Sequence, residues 1–134
     1  MGQPSNWGEQ EEQTMTITAP ASPSAVRRDQ EAAALVVDLV ALATATPSTE
    51  ISGSARRGRA AVRARHTSMY LIYVIFQWPL ERVGAAFGRD RTTAGYACRQ
   101  VEDMRDDPGF DAMLERLEAC LRLSPCAPGW HLEA

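Results

Sequence analysis

A chain of 134 residues, 45% hydrophobic and with a formal net charge of −3, has room for one domain of roughly 100 residues plus tails. No run approaches the ~20 apolar residues that span a bilayer, and the opening MGQPSNWGEQEEQ lacks the basic-then-apolar order of a secretory signal, so a cytoplasmic protein is expected. Cys98, Cys120 and Cys126 show no Cys-x-x-Cys spacing and the only histidines are His66 and His131, which argues against a disulfide framework or a structural zinc site.

Residues 1–26 are rich in Gln, Ser, Pro, Thr and Glu and poor in apolar side chains, so a disordered tail is predicted there. From about Arg27 to Ala45 the run EAAALVVDLVALATA predicts a helix with so few polar positions that it should be largely buried. Pro47, Ser48 and Thr49 break it, a short helical turn is expected at Thr49–Ser54, and ARRGRAAVRAR reads as a basic loop. The next segment, HTSMYLIYVIFQ from His66 to Gln77, is apolar on every side. Periodicity does not separate strand from helix here, since Tyr, Ile and Val favour sheets. Its length and helical neighbours favour a central core helix, with Tyr70, Tyr73, Phe76 and the following Trp78 as core aromatics.

Pro79 suits a helix start, and Leu80, Val83, Gly84 and Phe87 form the apolar edge of a helix only two turns long. Gly88 is a natural breaker. Asp90 stands where an N-cap belongs, and Ala94, Ala97, Cys98, Val101 and Met104 make one buried stripe of a helix that runs to about Arg105. Pro108 and Gly109 end it. Phe110, Met113, Leu114, Leu117 and Leu121 then pattern a last amphipathic helix, on which Cys120, like Cys98 before it, reads as a small core residue. The segment from 124 to 134 has no pattern. The expected organisation is therefore all-α: a compact helical bundle over 27–123, flanked by a disordered N-terminal tail and an irregular C-terminal one.

A short helix, a tight glycine turn and a longer amphipathic helix is the layout of a helix-turn-helix. The charge pattern agrees with that reading. From Ala55 to Val101, nine arginines (Arg56, Arg57, Arg59, Arg63, Arg65, Arg82, Arg89, Arg91 and Arg99) face only Glu81 and Asp90, a net +7. Acidic residues lie outside: Glu9, Glu11 and Glu12 before, and Asp103, Asp106, Asp107, Asp111, Glu115 and Glu118 behind. Such segregation makes a positive face suited to a polyanion, although a solvated arginine-rich surface in a chain without lysine gives the same count. The second helix of a helix-turn-helix enters the major groove with its N-terminal residues at the base edges. Arginine can bridge guanine O6 and N7, and threonine offers a hydroxyl or a methyl. Arg91, Thr92 and Thr93 are the residue types such a first turn needs, and Gly95, Tyr96 and Arg99 continue the outward face, with Arg99 in reach of the backbone.

The stretch GAAFGRDRTTAGYACRQVEDMR resembles the signature of the C-terminal DNA-binding domain of the bacterial replication initiator DnaA, and the basic loop with RARHTSMYL resembles the same domain, over roughly residues 30–122. The resemblance implies Arg57 as a minor-groove residue, Arg65 and His66 as contacts at the start of the core helix, and Arg91, Thr92 and Thr93 as major-groove readers. Arg56, Arg59, Arg63, Arg89 and Arg99 join them as candidate DNA-binding residues. The chain departs from the family pattern at several places: Gly88 alone where two glycines are common, Arg91 for a usual histidine, His66 for a usual glutamine, and Glu81 where proline is frequent. These changes bear on which DNA sequence is read, not on the fold.

No Gly-x-x-x-x-Gly-Lys-Ser/Thr loop is present and no room remains for an ATPase domain, so the chain is not expected to act as an initiator by itself. No carboxylate pair or Ser/His/Asp set points to catalysis, and no cofactor, metal or small-molecule substrate is expected. Two functions follow from the sequence. One is a sequence-specific binder of double-stranded DNA, nucleoid-associated, regulating transcription or replication initiation at sites like those of the initiator. The other is an interaction module for replication or transcription proteins that kept the fold. Arg57, Arg65, Arg91, Thr92 and Thr93 together favour the first.

Overall fold

The computed structural model describes residues 22–53 and 58–123. Of the tails expected over 1–26 and 124–134, residues 1–21 and 124–134 lie outside these residues, as do Arg56 and Arg57. Helix α1 spans Pro23–Thr44. It starts four residues before the expected Arg27, because the Ser22 hydroxyl accepts from the Ala25 N–H at 3.1 Å and Pro23 brings a helical φ to the first turn. Ala33, Val36, Val37 and Val40 form its buried stripe. The expected near-complete burial is not found: Leu42 is 82% exposed, since only one side of the helix has neighbours. No helix among the described residues is long and apolar enough to cross a membrane.

After a left-handed Ala45 (φ 55°), helix α2 (Ser48–Ser52) buries Ile51 completely. Helix α3 then begins at Arg59 and runs to Leu71 with Gly58 as its N-cap, so most of the stretch expected as a basic loop is helical. Its alanines explain this: Ala60, Ala61 and Ala64 are strong helix formers, and Ala61 and Ala64 are small enough to pack closely. The core helix of the sequence reading is thus the second half of a longer element, and the strand alternative is absent from the described residues. Its last turn widens into a π-helical segment, Ile72–Phe76, which closes on Gln77 in the left-handed conformation (φ 60°). Ile72, Ile75, Phe76 and Trp78 are buried as expected, but Tyr73 points outward and is 40% exposed.

Helix α4 (Leu80–Ala86), a turn through Gly88, and helix α5 (Arg91–Met104) follow, and α6 (Pro108–Arg122) closes the bundle. Pro108 does not merely end α5; with Asp107 accepting from the Phe110 N–H at 3.1 Å, it opens α6. Helix α3 is central and packs on α1 and α5, while α4 packs mainly on α5. Leu114, Leu117 and Leu121 of α6 reach the common core, whereas Cys120, expected there, is exposed. Its position falls one step off the buried 114–117–121 spacing. Arg105, just past α5, donates to Tyr70 Oη (3.0 Å), Glu118 (2.9 Å) and Asp111, and so ties α3, α5 and α6 at one end.

The fold is all-α, a compact bundle containing a helix-turn-helix made of α4, the turn and α5. Gly84 and Gly88 permit that turn in different ways. Gly88 holds φ +68°, which costs a residue with Cβ about 1–2 kcal/mol. Gly84 lies inside α4, where its carbonyl accepts from Phe87 (2.9 Å) and Arg89 (2.8 Å), and a methyl there would stand 2.7 Å from the carbonyl oxygens of both Arg89 and Asp90. Alanine in an ordinary helix position gains ~1 kcal/mol over glycine. At Gly84 the crowding, worth about 1–3 kcal/mol, opposes that gain. Gly84→Ala is therefore expected to lower the melting temperature, and a rise would show that the turn is looser than described.

Candidate nucleic-acid interface

The local chemistry that starts α5 is the cap at Asp90, whose carboxylate accepts from the Thr93 N–H at 2.8 Å. That backbone bond, with the Thr93 hydroxyl behind it, holds the Asp90 carboxyl below its ordinary range, so the cap is charged at neutral pH. With one N–H engaged, the remaining donors of the first turn stay open to an outside acceptor. Arg91 and Thr92 are both exposed on this turn, while Thr93 is half-buried. The buried stripe lies behind them: Ala94, Ala97, Cys98 and Val101 face the core. Burial, then the nearby Glu102 charge, pushes the Cys98 thiol up to about 11, which makes it the inert core residue expected.

Charge is divided along α5. Arg91 stands at its N-terminus and Arg99 midway on the exposed side, while exposed Glu102, Asp103, Asp106 and Asp107 gather at and beyond its C-terminus. The two ends are separated by about 20 Å at 1.5 Å per residue. This order is opposite to what the helix dipole favours, which makes it a poor device for helix stability. It is a good one for directing the N-terminal end toward a polyanion.

Helix α3 contributes its first turns to the same side. Arg59, Arg63 and His66 recur at steps of four and three along one face, with both arginines exposed and His66 half-buried. His66 meets Tyr96 of α5 edge-to-face, ring centroids 5.9 Å apart at 88°. Burial, then the Arg65 charge, lowers the His66 pKa, so its imidazole is neutral at neutral pH and offers one donor and one acceptor. Arg89 is half-buried beside this seam, near enough for its charge to act on Arg65.

Arg65 is placed differently from the rest. It is 8% exposed, and its guanidinium donates to the carbonyls of Ile51 (2.8 Å) and Gly53 (3.0 Å), satisfying the end of α2. Arg82, counted in the positive stretch, is exposed but paired within the fold. It forms a two-bonded ion pair with Asp29 of α1 (2.9 and 2.8 Å) and lies 4.0 Å above the Trp78 ring. Arg59, Arg63 and His66 thus lie along one face of α3, and exposed Arg91, Thr92 and Arg99 lie on α5, the two helices meeting through the His66–Tyr96 contact, with Thr93 and Arg89 partly covered. Tyr96, half exposed among these residues, lies on the outward face where its spacing from Thr92 and Arg99 placed it, although it was not counted among the candidate DNA-binding residues.

The model of the family described as the bacterial dnaA protein helix-turn-helix matches residues 33–101, just over half of the 134-residue chain and the span from α1 to the last buried residue of α5.

Proposed function

The chain belongs to the bacterial DnaA helix-turn-helix family, a DNA-binding domain, and from that premise we propose that it is a sequence-specific binder of double-stranded DNA that regulates transcription or replication initiation at sites resembling initiator boxes. The observation that carries the proposal is the exposed first turn of α5. Arg91 and Thr92 are both exposed there, and Thr92 lies on the side opposite the Ala94–Cys98–Val101 stripe. In this reading Arg91 and Thr92 read base edges, Thr93 serves chiefly the cap, and Arg59, Arg63, Arg89 and Arg99 neutralise phosphates. His66 contributes a neutral donor and acceptor at the edge of the same groove. Arg65 acts by holding the end of α2, from which the chain continues to Arg56 and Arg57. Arg57 is the candidate for the minor groove, on the strength of its sequence position alone.

A genome-wide map of bound DNA, read for a shared motif near promoters or origins, tests the regulatory part. Titration against duplex DNA tests the binding part. The logarithm of affinity should fall linearly with the logarithm of salt concentration, with a slope near −0.9 for each phosphate neutralised. If four arginines act as proposed, a slope of roughly −3 to −4 is expected. An affinity that stays flat over the same salt range would instead favour an interaction module for replication or transcription proteins.

A further inference from the structure

Five large apolar or aromatic side chains are exposed among the described residues: Val26, Leu42, Tyr73, Tyr96 and Leu123. Tyr96 alone of them belongs to α5, where it lies between Thr92 and Arg99 on the outward face, 50% exposed and in edge-to-face contact with His66 of α3. Its hydroxyl makes no hydrogen bond to any other described residue, in contrast to Tyr70, whose hydroxyl is bound by Arg105 and Glu102. At 50% exposure the hydroxyl is open to water and free to exchange it for an acceptor on a bound partner.

We propose that Tyr96 is a further DNA-contacting residue, its hydroxyl donating to a backbone phosphate and its ring holding His66 in position on the same face. The assignment rests on the DNA-binding reading above and extends it to a residue type that carries no charge. Tyr96 lies four residues after Thr92, about 6 Å further along the helix axis at 1.5 Å per residue. It is therefore one turn behind the base-reading end, where a helix entering the groove passes the backbone. Gly95 beside it leaves the helix surface low: a Cβ there would have only the Leu80 side chain (3.5 Å) and the Arg99 guanidinium (3.9 Å) near it, so nothing bulky shields the tyrosine from an approaching strand. The ring also closes the seam between α3 and α5. Without it half-buried His66 would lose its neighbour on α5.

The test uses the whole chain, a random-sequence duplex pool and a duplex selected from that pool for tight binding. Tyr96→Phe keeps the ring and its contact with His66, so its melting curve should match that of the parent. Its affinity should drop by roughly 10- to 100-fold, the worth of a hydrogen bond to a charged acceptor, and by the same factor on both duplexes. The salt slope should not change, because a phenol releases no counterion. Tyr96→Ala should lose more, and adding His66→Ala to it should have little further effect, since the two residues act as a unit. A Phe variant that binds as the parent does overturns the phosphate contact, and so does a loss confined to the selected duplex. Additive His66 and Tyr96 effects overturn the pairing. A parent that binds neither duplex overturns the DNA-binding reading itself, and this proposal with it.

Discussion

Ala94→Asp and Val101→Asp are expected to abolish cooperative folding. Both side chains are wholly buried in the stripe that docks α5 on α3 and α4, and the buried basic side chain among the described residues, Arg65, is already held by the carbonyls of Ile51 and Gly53. A carboxylate there must either stay charged without a partner or take up a proton, and each course costs several kcal/mol. A small domain has only about 5–15 kcal/mol in total, and one of this size is at the lower end. Circular dichroism against temperature should show a broad, early loss of helix for both variants. The same substitution at Thr92, which is exposed, should leave the melt nearly unchanged while weakening binding to DNA. A sharp transition near the parent's temperature for Val101→Asp would mean that α5 is not seated as described.

The second large effect concerns recognition rather than stability. Arg91→Ala and Thr92→Ala remove exposed side chains, so each should move stability by no more than ~0.5 kcal/mol. Specific binding should fall by on the order of 1–3 kcal/mol for each, the usual worth of a good base contact. The two variants should differ in their second readout. Arg91 is assigned to a guanine edge, so its loss should relax the preference for guanine at one position and leave the salt slope nearly unchanged. Thr92→Ala should relax the preference at a different position of the selected site. Equal binding of parent and Thr92→Ala to selected and scrambled duplexes would remove α5 from the role of reading helix.

How much of this was legible beforehand depended on how local the physics is. The Asp90 cap, the Gly88 turn and the Ala94–Val101 stripe each rest on a few adjacent residues, and all three were readable. Helix α1 began early because Ser22 and Pro23 were read as part of a polar tail rather than as a cap and a first turn. The basic stretch after Gly58 has the charge of a loop, yet solvated arginines do not oppose a helix and its alanines favour one. Cys120 and Tyr73 sit on apolar-looking segments and turned outward, because the direction of a helix face is set by where its neighbours are, not by the average hydrophobicity of the run.

Composition and spacing by themselves determined the class of the fold, the place of the helix-turn-helix and the residues of its first turn. These follow from short-range sterics, capping and helical period, which act within about one turn. The tertiary structure alone decided which positive charges remain available. Arg65 is drawn onto the carbonyls of Ile51 and Gly53, and Arg82 onto Asp29 and Trp78, fourteen and fifty-three residues away respectively for their first partners. Such pairings need distant segments brought together and cannot be read from a net charge. The same packing set Tyr96 against His66, thirty residues apart in sequence. A chain's charge is a sum over residues, but a binding surface is what remains after the fold has used some of those residues to hold itself together.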